Sequence, residues 1–195
     1  LKHRKEFYKD IKLKIAPKLK KNLLNKKRKQ KKIYKFTLAL CGIYSLDKSL
    51  ISWMMFVLSK NSNIKVIIKP HPMLSISKFN NLISAKLLNQ ITISNQPADI
   101  LLLKSEFLIS SGPTSIIFES LLYGCKLLYL NLDPSDIFIS KKKLIKKENF
   151  EFIKEKFSLL KIMTKYNNLP FKKNKYYNRS YLYSKLTNTN LNFFY

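Results

Sequence analysis

Between residues 34 and 140, short apolar runs alternate with stretches that are apolar on one side only. Tyr34–Ile43 is a strand-like run that closes on Cys41-Gly42. Asp47 is then expected to cap a helix to about Lys60, with apolar residues at 50, 51, 54, 57 and 58 and a wider face from Trp53, Met55 and Phe56. Ile64–Lys69 reads as a compact strand stopped by Pro70 and Pro72. Ser75–Leu88 reads as a second helix, with Ile76, Phe79, Leu82, Ile83 and Leu87 on one face. Then follow a strand at Ile91–Ser94, a helix from Pro97 to Lys104, and a strand at Glu106–Ser110. A helix over Pro113–Tyr123 and a fifth strand over Lys126–Asn131 complete the pattern. Farther on, Glu148–Leu160 is predicted to be helical.

Strands and helices in strict alternation imply βαβ units on a parallel sheet. The fold class expected is α/β: a Rossmann-like, doubly wound parallel sheet of about five strands with flanking helices. The domain plan follows from where the pattern stops. Residues 1–33 form a basic N-terminal segment, 34–140 the Rossmann-like domain, and 141–195 a basic, mostly helical tail.

Charge sharpens that division. The 195-residue chain carries 38 Lys and Arg against 11 Asp and Glu, a formal charge of +27. Residues 1–32 hold 15 of the basic residues and 2 acids; residues 141–195 hold 14 and 3. The 108 residues between them are nearly balanced, with 9 and 6. Basic flanks suit an anionic membrane surface. Only Arg4, Arg28 and Arg179 are arginine, and lysine lacks the planar fork that reads phosphates and bases in pairs, so nucleic acid is not the expected partner. A Lys-, Asn- and Ile-rich composition also follows from A/T-biased codon usage without any binding role.

Cys41 and Cys125 lie in apolar runs without metal-ligand spacing and read as small buried thiols of a reducing compartment. The longest apolar stretch, Phe36–Ser59, is interrupted by Asp47-Lys48, which would cost roughly 5–7 kcal/mol at the centre of a membrane span. The expected location is cytoplasmic, on the inner face of a membrane if the flanks engage one.

In a doubly wound sheet, ligands bind beyond the carboxyl ends of the strands, where the strand order reverses. With the order 3-2-1-4-5, three polar loops meet there: Cys41-Gly42, Lys69-Pro70-His71-Pro72, and Ser110-Ser111-Gly112-Pro113-Thr114-Ser115. The last opens a helix, with Ser111 or Gly112 as N-cap, Pro113 at its first position and Gly124 just past its end. Free N–H groups and the hydroxyls of Ser110, Ser111, Thr114 and Ser115 then make an anion site, and phosphate is the obvious anion. Glu119, one turn after Ser115, can take a ribose diol. His71 sits between two prolines that stiffen its backbone and can donate to a phosphate oxygen.

These residues carry a resemblance. Lys69-Pro70-His71-Pro72, followed by Ser110–Ser115, Phe118-Glu119-Ser120 and Tyr123-Gly124, resembles the C-terminal half of two-Rossmann-domain (GT-B) glycosyltransferases of bacterial capsular and surface polysaccharides. Sialyltransferase-like, Kdo-transferase-like and CDP-glycerol glycerophosphotransferase-like members are similar in the same places. The resemblance spans about residues 34–135 and implies that His71 and the serine loop hold the donor phosphate while Glu119 holds the ribose.

The implied activity moves a sugar from a CMP- or other nucleotide-linked donor to a surface polysaccharide or lipid-linked glycan. His71 would be the catalytic group, and Gly42, Lys69, Pro72, Ser110, Ser111, Gly112, Thr114, Ser115 and Glu119 would bind the donor. The alternatives are a CDP-glycerol or ribitol-type phosphate transferase, or a non-catalytic basic protein that binds nucleic acid or membrane. The sequence shows no acidic cluster suited to Mg²⁺, so neither metal nor resident cofactor is expected. Residues 1–33 are too short for the acceptor-binding half and the acidic motif of sialyltransferase-like members is missing. A fragment, or a partner of a separate N-terminal half, is therefore expected.

Overall fold

Parallel strands β1 (Tyr34–Ala39), β2 (Val66–Lys69), β3 (Ile91–Ile93), β4 (Ser105–Ser110), β5 (Lys126–Leu130) and β6 (Phe150–Ile153) make one sheet in the order β3-β2-β1-β4-β5-β6. The computed structural model describes residues 31–112, 114–132 and 150–171. They belong to one compact unit, Lys31–Tyr176. The helices are α1 (Tyr44–Lys60), α2 (Ala98–Lys104), α3 (Ile116–Leu122) and α4 (Lys156–Asn167).

Alternating side chains explain the layers. Phe36, Leu38, Val66, Ile68, Phe107, Ile109 and Leu128 point to one face and join a core with Leu50, Ile51, Met54 and Leu58 of α1 and Leu159 and Met163 of α4. Residues of the other parity, Thr37, Ile67, Leu108, Leu127 and Tyr129, are buried as well. Burial of both parities needs cover on both faces, which is the expected doubly wound arrangement. Helices α2 and α3 pack on β4 and β5.

Four elements differ from the sequence reading. Helix α1 starts at Tyr44 on an Ile43 N-cap, so Asp47 lies in its first turn and is not the cap. Residues 75–88 do not form one helix but two 3-10 turns, Ile76–Phe79 and Ala85–Gln90. Ser75 does cap the first turn, its hydroxyl accepting from the Ser77 N–H. Serine and asparagine at 77, 80, 81 and 84 offer the backbone local partners in place of a helical ladder.

The third difference is a sixth strand. The predicted helix over Glu148–Leu160 is instead β6 followed by α4. Phe-Glu-Phe-Ile alternates with period two, and Phe152 stacks on Tyr129 with ring centroids 6.2 Å apart. Strand β6 thus extends the sheet past the boundary expected at 140, which itself lies outside the described residues. Residues 1–30 and 172–195, which hold most of the basic flanks, lie outside them as well.

Fourth, α3 starts later than expected. Its N-cap is Ser115, without a side-chain cap bond, whereas Ser111 or Gly112 was expected there; Pro113 lies outside the described residues. Its end is as read: Gly124 has φ +69°, the Cys125 N–H bonds Ser120 O at 2.9 Å, and the Gly124 N–H bonds Leu121 O at 3.3 Å.

Lys32 turns inward from the basic segment and is 5% exposed. Its Nζ donates to Leu102 O (2.9 Å) and Tyr123 O (3.1 Å), tying together the C-terminal ends of α2 and α3. Burial lowers its pKa, with Cys125 and Glu106 acting the other way.

Candidate functional site

The strand order places the loop after β1 between the loops after β2 and β4, at the edge where all strands end. Contacts through Cys41-Gly42 join the three loops. Gly42 has φ +86°, and a Cβ there would fall 2.5 Å from His71 Nδ1 and 2.8 Å from its Cγ. The imidazole therefore fills the space that any side chain at position 42 would need. On the other side, a Cβ on Gly112 would fall 2.8 Å from Leu46 Cδ1 and 3.1 Å from Cys41 Sγ. His71 and Ser111 thus flank the loop after β1, one strand to either side. Two strand spacings amount to roughly 10 Å.

His71 is half-buried, and its Nδ1 accepts from the Met73 N–H at 3.3 Å. A nitrogen that accepts carries no proton, so the neutral ring holds its hydrogen on Nε2. Lys69 closes β2, and its carbonyl accepts from the Leu40 N–H at 3.1 Å. Pro72 is exposed.

The serine loop divides into engaged and unengaged groups. Ser110 Oγ donates to Ala39 O at 3.0 Å, holding β4 to β1, and so serves the sheet rather than a ligand. Ser111 Oγ is fully buried with no hydrogen-bond partner among the described residues. The Gly112 N–H donates to the Tyr129 hydroxyl at 3.1 Å. Thr114 and Ser115 are half-buried, and so is Glu119 on α3. At the end of β5, Asn131 Oδ1 is a second buried acceptor without a partner among the described residues. Native proteins leave few such atoms unsatisfied, and each calls for a water, an ion or a ligand group.

Asp47 was not read as a site residue. It is completely buried, and its two carboxylate oxygens accept from the Cys41 and Gly42 N–H groups, each at 2.8 Å. Burial pushes its pKa up; the two backbone bonds and the nearby His71 act against that rise. The Gly42 N–H is thereby committed, and its bare Cα leaves room for the imidazole. The only sequence signal was an acid five residues after a strand-ending glycine, which a helix cap explains equally well.

Neither cysteine suits nucleophilic chemistry. Burial and then the Asp47 charge push the Cys41 thiol up to about 12, and burial holds Cys125 at about 11. Both are free and buried, as their apolar surroundings implied. No helix among the described residues is long and apolar enough to cross a membrane.

A solved crystal structure described as the glycotransferase of kitacinnamycin is similar to this chain, with a TM-score of 0.50 at 12% identity. The likeness is one of fold, a parallel α/β sheet with flanking helices. The match covers 75% of this chain and 40% of that one, so it spans less than half of that protein's length. No family model and no curated protein matches the sequence.

Proposed function

We propose that this glycosyltransferase-like layer binds the nucleotide-sugar donor of a transferase that builds a surface polysaccharide or lipid-linked glycan. One observation carries the reading: His71 and Ser111 flank a shared central loop at the point where the strand order reverses. Open α/β sheets bind nucleotides at this place. The orphaned Ser111 hydroxyl supports it, because a donor phosphate oxygen would satisfy that group.

In this reading the phosphate lies over the Cys41-Gly42 loop. The Nε2–H of His71 donates to one of its oxygens, and the Ser111 hydroxyl meets another. Both donors gain strength as the sugar departs and charge collects on the phosphate, so they lower the barrier as well as bind. Glu119 takes the ribose, and neither metal nor cofactor is required. The acceptor and the general base come from a second half that closes over the donor.

A thermal-shift panel of CMP, CDP, UDP and GDP tests the reading, since a bound ligand raises apparent stability. One nucleotide is expected to shift the transition, and the shift is expected to shrink in both His71→Ala and Ser111→Ala. No shift from any of the four, or an undiminished shift in both variants, overturns it. Product analysis with sugar- and polyol-linked donors separates glycosyl transfer from polyol-phosphate transfer.

A further inference from the structure

We infer that Asp47 is a positioning residue that fixes the His71 imidazole by holding the Cys41-Gly42 backbone beneath it. The inference rests on the donor-site reading for its purpose, although the geometry stands without it. Asp47 has no exposed surface, and a carboxylate taken out of water is retained only where it is hydrogen-bonded. Both oxygens are used, and both partners are successive N–H groups of one loop. Such charge-assisted pairs are about twice as strong as neutral ones.

In many Rossmann-like folds the N–H groups after the first strand face a ligand's phosphate. Here a side chain from the first turn of α1 occupies them. The loop is a platform whose amides are already taken. What it offers upward is the bare Cα of Gly42, and the imidazole lies where a Cβ would otherwise stand. The Met73 N–H fixes the ring from its own loop through Nδ1. Asp47 therefore sets the height and tilt of the surface on which His71 rests, without needing to touch the ligand.

The test reads His71 directly in the ligand-free chain. The sequence has two histidines, and a His3→Gln background leaves the His71 nitrogen resonances alone in a spectrum of ¹⁵N-histidine-labelled protein. The parent is expected to show Nδ1 as the unprotonated nitrogen. Asp47→Asn, which keeps the size but puts an NH₂ against one of the two N–H groups, is expected to shift or broaden those resonances. Nucleotide affinity is expected to fall about tenfold with it.

Lys126→Met, at the opposite end of β5, is the control for a general loss of stability and is expected to leave the resonances in place. Gly42→Ala pushes the ring off the same loop with Asp47 intact and gives the same readout should Asp47→Asn fail to fold. Unchanged His71 resonances in Asp47→Asn, or in Gly42→Ala, overturn the inference. If no nucleotide binds the parent, the donor-site reading fails, while the resonance shift still decides the role of Asp47.

Discussion

Position 42 shows how one missing side chain organises a site. A left-handed backbone costs an L-residue about 1–2 kcal/mol, and at Gly42 the cost is compounded because the imidazole already occupies the Cβ position. Gly42→Ala is expected to lower unfolding free energy by more than the backbone's about 1–2 kcal/mol in a urea titration. The same substitution tests where His71 rests.

Lys32 makes the complementary case. Its charge is buried and held by the Leu102 and Tyr123 carbonyls, and truncation takes the cation away from both. Lys32→Ala is expected to cost about 1–3 kcal/mol by the same measurement. Lys32→Met, which keeps the apolar stem and removes the charge, is expected to cost less. In the sequence this lysine was indistinguishable from its neighbours in a run of basic residues. Its inward turn follows from the start of β1 two residues later, and composition carries no trace of that.

Among the elements, α4 and β6 hold to β5 through a triangle of polar atoms. Lys126 Nζ lies 2.8 Å from Glu151 Oε1 and 2.6 Å from the Tyr166 hydroxyl, which donates to Glu151 at 2.9 Å. Burial pushes the Glu151 carboxyl up, yet the bonds from Lys126 and Tyr166 outweigh it and hold the pKa below the ordinary 4.5. Burial likewise pulls Lys126 down, and the bonds to Glu151 and Tyr166 more than restore it, leaving it raised.

The signs then follow. A depressed acid contributes fully above its ordinary value, and the contribution is lost as pH falls through the lowered one. A raised lysine contributes fully below 10.5, and that contribution is lost as pH climbs through the raised value. The stability difference between the parent and Glu151→Gln is expected to be constant near neutrality and to shrink below about pH 4.5. Both groups are partly exposed, so water screens the pair and the difference stays small.

Element type was legible wherever hydrophobic period and boundary residues agreed, as at β1, β2, β4, β5 and the Gly124 end of α3. It failed where the two conflicted. Residues 75–88 carry apolar residues at helical spacing, but the serines and asparagines between them favour tight turns. Residues 148–160 merged a period-two tetrapeptide with the helix behind it. At the site, the three loops could be named because each ends a strand, and strand ends are local facts. Asp47 could not, because its two partners precede it in an irregular turn whose geometry depends on packing.

For the molecule as a whole, the unbroken parallel order gathers every strand end along one edge, so the polar loops could meet nowhere else. The expected consequence is coupling between the flanking loops. His71→Ala and Ser111→Ala are each expected to weaken nucleotide binding about tenfold, or ~1.4 kcal/mol. A double variant that loses less than the sum would show by calorimetric titration that both grip one ligand group. Both are expected to melt cooperatively, since neither residue joins the apolar core.

The carboxylate beneath the loop has one more consequence. Cutting it back to a methyl group leaves a hole the size of a small organic acid, walled by two amides that have lost their acceptor. An Asp47→Ala chain would then depend on its buffer. Formate, small enough to enter, would restore the ring's orientation in proportion to its concentration, and bulkier benzoate would not. A covalent brace would have become a diffusible one.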